Sequence, residues 1–158
     1  YNTGVQAYNN MINLLKSRAD TFYTDIQNNI KKIDTANDKI QKIIDKYENA
    51  KVILNNASFT ANSFCYNFAS AKGVLFNAYK NDSGSRISSI QGAIRREDVS
   101  KLKSEINSVK SDIEKRKNVL KSVKTQNSYY KINFEKASSE VKNTRNLLDS
   151  LSAETVSV

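Results

Sequence analysis

The sequence has no proline, no tryptophan and no histidine, only four glycines, and a single cysteine, Cys65, among 158 residues. Each absence excludes something. Without proline and with so little glycine, almost nothing in the chain breaks a helix, and the alternation of β-branched and aromatic residues that builds sheets is scarce. An all-α fold follows. One cysteine forbids an internal disulfide, and without histidine the common metal sites and acid–base constellations cannot be assembled, so no cofactor and no enzymatic activity are expected. Cys65 has no histidine to activate it and lies among apolar residues, which reads as a buried structural thiol. There is no run of about 18 apolar residues and no charged-then-apolar leader, so neither a membrane-spanning helix nor a signal peptide is predicted. The chain opens at Tyr1 without a methionine, as expected of a mature product or a piece of a longer protein.

What the chain does have is lysine, asparagine, serine and isoleucine, with 25 basic against 16 acidic residues, a net charge of +9. Its length fits one domain spanning 1–158. From Val5 an apolar stripe runs through Tyr8, Ile12, Leu15, Ala19, Phe22, Ile26, Asn29, Ile33, Ala36, Ile40, Ile43, Tyr47, Ala50 and Leu54 in alternating three- and four-residue steps. Only Asn29 interrupts it. Thr35-x-x-Asp38 resembles a capping box, which predicts a break near 34–38 and two helices, 3–33 and 36–55. After Asn55-Asn56-Ala57-Ser58, a third helix is predicted at 59–79, rich in phenylalanine and small residues and central in the core. Asn81-Asp82-Ser83-Gly84-Ser85 reads as a loop, followed by a short helix at 86–95.

Asp98 or Ser100 can cap a last helix with the stripe Leu102, Ile106, Val109, Ile113, Arg116, Leu120, Val123, Asn127, Tyr130, Phe134, Ala137, Val141, Thr144, Leu148 and Leu151. Its register never slips. Residues 99–152 therefore read as one helix of roughly 75 Å, part of it projecting, with a frayed tail from Ala153. The expected architecture is an elongated antiparallel bundle of about five helices with a long C-terminal helix.

The segment Arg95–Arg145 holds 14 basic and seven acidic residues. Interleaved carboxylates at 105, 112, 114, 135 and 140 make a solvated, ion-paired face the plain reading of this charge. No nucleic-acid-binding motif accompanies it, so nucleic acid is not expected as a partner. Direct membrane insertion is not expected either, because the apolar faces are needed for packing. Polar stripe residues such as Arg116, Asn127 and Thr144 are of the kind that fix register in helix assemblies, or else mark stretches facing solvent. Tyr129, Lys131 and Lys136, flanking the stripe residues Tyr130 and Phe134, combine aromatic and cationic groups in the manner of a protein-binding hot spot. If the first and last helices run antiparallel, Lys39 shares a surface with that segment.

Three segments carry a family resemblance: Tyr1-x-x-Gly4-Val5-Gln6-Ala7-Tyr8-Asn9, Tyr79-Lys80-Asn81-Asp82-Ser83, and Val119-Leu120-Lys121-Ser122-Val123-Lys124-Thr125-Gln126-Asn127-Ser128-Tyr129-Tyr130. In order and spacing they resemble the C-terminal domain of the Borrelia fibronectin-binding lipoproteins, the Fbp family, whose helical domain inhibits the complement protease C1r. Identity is low, and 84–100 is longer here. The resemblance implies a lipid-anchored protein of the bacterial outer surface, tethered through a segment outside this chain, that binds C1r and blocks the classical complement pathway. It also implies that fibronectin is bound only through a disordered region absent here. In the family a basic residue near the first helix junction and a lysine of the last helix reach the protease's substrate-binding region. The first matches Lys39 most nearly, with Asn37 at the ungapped position. The second falls on Phe134 or Glu135, leaving Lys131 or Lys136 to substitute. The other reading is a basic coiled-coil structural protein or host-ligand adhesin.

Overall fold

The computed structural model describes residues 2–55 and 85–157, with side chains described over 3–55, 88–93 and 95–151. Every element among them is an α-helix: α1 (Asn2–Asn55), α2 (Ser85–Arg95) and α3 (Val99–Ser157). The third predicted helix, Cys65 and the loop at 81–84 lie outside the described residues.

Two expected boundaries are corrected. α1 is helical straight through 34–38, so the predicted pair 3–33 and 36–55 is one helix, and the described residues hold three helices. The reason is visible in the residues that looked like cap and turn formers. Asp34 accepts a hydrogen bond from Lys131 Nζ at 2.8 Å, and the Asn37 side chain accepts one from Asn127 Nδ2 at 3.0 Å. Their polar groups are spent on another helix instead of on their own backbone, and no proline or glycine is there to force an end. The tail also does not fray at Ala153, since helical backbone continues to Ser157.

Between α2 and α3 the chain turns in three residues. Asp98 N–H donates to Ala93 O at 3.0 Å and Arg96 N–H to Gly92 O at 3.1 Å, while Glu97 adopts a left-handed φ of 53°. This is the Schellman way of ending a helix, with glutamate at the position glycine favours. Asp98 then starts α3: its Oδ1 accepts from Lys101 N–H at 3.0 Å, as an N-cap does. Of the two predicted caps, Asp98 is the one used.

The contacts divide the chain into a terminal unit, Tyr1–Asp38 with Thr125–Val158, and a central unit, Lys39–Lys124. The central unit holds the main core, where Tyr47, Ala50 and Leu54 of α1 meet Ile90 and Ala93 of α2 and Leu102, Ile106, Val109 and Ile113 of α3. Burying each isoleucine or leucine contributes about 1.5–3 kcal/mol. One carboxylate, Glu105, is buried beside them, accepting from Ser89 Oγ at 3.2 Å and pairing with Lys101 Nζ at 3.3 Å. It is no solvated decoration. The terminal unit buries fewer large side chains, chiefly Ile12, Ile26 and Leu148.

In both units α1 and α3 are also joined by polar pairs that recur every seven residues. In the central unit Lys110 bonds Asn55, Lys117 bonds Glu48 and Lys124 bonds Gln41. In the terminal unit Lys131 bonds Asp34, Gln27 bonds Ser138 and Arg145 bonds Asp20. As the α3 number rises by seven, the α1 number falls by seven. Lys51 with Glu114 and Lys16 with Asp149 add rungs of the same kind. A seven-residue step is the repeat at which two helices keep the same faces together.

Candidate partner-binding face

The three α3 residues nominated from sequence divide between two faces of that helix. Tyr129 is 60% exposed, and Ile132 and Lys136, three and seven residues on, are exposed along the same outer line of the helix. Together they present an aromatic ring, an apolar side chain and a cation to solvent. That is the chemistry of a protein-binding anchor. Ile132 was not singled out by sequence, where it reads as one more isoleucine in a helical stripe. Its signal was its offset: it fits none of the three- and four-residue steps of the stripe.

Lys131 lies elsewhere. It is half-buried in the polar ladder, and its ammonium is held above the usual lysine range by the hydrogen bond to Asp34, with the charges of Asp34 and Glu135 adding to it. It is not turned outward as expected, because it occupies the same heptad position as Lys117 and Lys124. Asn37 is likewise half-buried and bonded to Asn127. Lys39 is exposed on α1, in the central unit. Tyr130, expected on the buried stripe, is half exposed instead.

The ladder accounts for much of the charge that sequence assigned to a solvated face. Lys117 is only 4% exposed, bonded to Glu48 and, at 3.2 Å, to Glu114. Burial lowers its pKa from the usual lysine value, and the neighbouring charge of Lys121 lowers it further. At the other end Arg145 joins Asp20 at 2.9 Å and also pairs with Asp149, which takes Lys16 at 3.1 Å. Those hydrogen bonds, from Arg145 first and Lys16 second, hold the Asp149 carboxyl below its ordinary value.

Among the described residues no group of three or more acidic, cysteine or histidine side chains stands where it could hold a metal ion. No helix among them is long and apolar enough to cross a membrane. Comparison with models of known families, with curated proteins and with solved structures finds no match for this chain.

Proposed function

We propose that this chain is a non-enzymatic binding domain that docks on the complement protease C1r and inhibits the classical pathway, acting at the bacterial outer surface from a lipid anchor outside this chain. The observation that carries the reading is the outer face of Tyr129, Ile132 and Lys136, which begins at the end of Val119–Tyr130, the longest segment of the family resemblance. A lysine on a helix held by two neighbours is a suitable probe for the acidic specificity pocket of a trypsin-like protease. Lys136 is better placed for this than Lys131, which would have to leave Asp34 first. Lys39, exposed on α1 in the central unit, and Asn37, two residues before it, are the other positions that the family resemblance nominates. The wider architecture we infer is an elongated antiparallel helical bundle, supported by the opposed numbering of the polar rungs.

Surface plasmon resonance against purified C1r tests this. Lys136→Ala and Tyr129→Ala should each weaken binding about tenfold or more, as hot-spot truncations do, and Lys131→Ala by less. Absence of binding at micromolar protein sinks the reading.

The heptad ladder favours a second reading, a basic coiled-coil structural protein or adhesin, for which a fixed helix register is the main requirement. That reading predicts no effect of the chain on C1r activity. Neither reading involves nucleic acid or insertion into a membrane, and fibronectin would be bound only by a region outside this chain.

A further inference from the structure

In the terminal unit the seam between α1 and α3 has two unlike flanks. One carries the polar ladder. The other leaves large side chains in solvent: Tyr8, Leu15 and Phe22 of α1, seven residues apart, and Tyr130 of α3, with Phe22 56% exposed. Between the helices this flank opens into a groove of about 510 Å³ lined by Arg18, Ala19, Phe22, Glu140, Val141 and Thr144.

The central unit shows what such a flank receives. Counting back by sevens from Tyr130 and Thr144 leads to Val109 and Leu102, which are fully buried in one core with Ile90 and Ala93 of α2. Where these heptad positions are covered, a helix covers them.

We propose that the exposed flank is the interface for a second copy of this chain, docked flank to flank about a two-fold axis. Three observations favour a copy over a foreign helix. First, knob and hole lie on one surface: Phe22, more than half exposed, borders a groove that Ala19, Val141 and Thr144, all smaller side chains, also line. A surface carrying both halves of a fit is what an isologous contact requires. Second, the groove's α1 wall carries a cation, Arg18, and its α3 wall a carboxylate, Glu140. Laying α1 of one copy over α3 of the other sets opposite charges together. The walls carry no net charge, so an acidic partner drawn by the +9 chain finds nothing to match here, while two copies avoid repulsion at the contact. Third, the column Tyr8, Leu15, Phe22 continues to Asn29, half-buried. One asparagine in an apolar heptad column fixes register and the number of helices that associate.

Sedimentation equilibrium of the 158-residue chain over roughly 1–200 µM tests the proposal. The chain should sediment as a reversible dimer. Phe22→Glu and Leu15→Glu should each raise its dissociation constant at least tenfold, while Val119→Glu, at a 63% exposed position of the central unit, leaves it unchanged. Circular dichroism shows whether each variant keeps its helices, and Phe22→Ser repeats the test without introducing a charge. A chain that stays monomeric throughout overturns the proposal, as does a dimer that neither Phe22 substitution weakens. The outcome is independent of C1r binding, which is read separately.

Discussion

Lys117 shows how much a single position is asked to do. Its side chain is almost wholly removed from water, while its partners Glu48 and Glu114 keep 49% and 39% of their side-chain exposure. The desolvation falls on the lysine and the pairing is shared with water on the carboxylate side. Its lowered pKa has a definite sign: in the folded state the charged form is disfavoured, so a cost is present at neutral pH and is relieved as pH rises through the folded value toward 10.5. Lys117→Met keeps the stem and deletes the buried charge, and its former partners stay hydrated. It should therefore stabilise the chain by about 1 kcal/mol in urea unfolding, because the two carboxylates left behind are solvated and no buried charge remains unpaired. Destabilisation by a similar amount would mean that Glu48 and Glu114 recover more from the lysine than the lysine loses.

Among the elements, the corner between α2 and α3 is the most economical, because Asp98 both closes one helix and caps the next. Asp98→Ala should cost about 1 kcal/mol through the lost cap, and Glu97→Gly should gain roughly 0.5–1 kcal/mol by relieving a left-handed φ. Both are read as shifts in the thermal midpoint. Helix identity was legible beforehand because the breakers are missing and the apolar steps are regular. The capping-box pattern at Thr35–Asp38 misled because such a pattern does not end a helix inside a regular apolar stripe that holds no proline or glycine, and the neighbouring Asp34 and Asn37 direct their polar groups to α3. The exposure of Tyr129 and Lys136 was legible because their offset from the stripe is local information. Lys131 was misplaced because α3 is amphipathic over more than one stripe, and only the partner helix tells which line of it faces inward. The clue was nevertheless present in the sequence, in lysines at 110, 117, 124 and 131 facing acceptors at 55, 48, 41 and 34.

In the seven-residue steps of the ladder the cations stand on α3 and their acceptors on α1, while the added rungs Lys51–Glu114 and Lys16–Asp149 run the other way. Gln27 with Ser138 is the neutral exception. Polar pairs of this kind, repeated at seven-residue steps, fix the register of two helices. The same dependence makes the chain sensitive to acid. Asp149 has a folded pKa below its ordinary 3.8, so its contribution is present above that value and is lost as pH falls through the lower, folded one. Lys131 and Arg145 have raised values, so their contributions are fully present at neutral and acid pH until the carboxylates they face are protonated. Full protonation of the 16 acidic residues would leave 25 uncompensated cations. The thermal midpoint should hold from pH 8 to 5 and fall steeply between about pH 4 and 2. Because Asp149 takes both Arg145 and Lys16, Asp149→Asn should flatten the acid end of that fall while lowering the midpoint at pH 7. Calorimetry across this range decides it: an acid limb with the same slope in wild type and variant would remove Asp149 from the account and leave the remaining carboxylates to explain the loss.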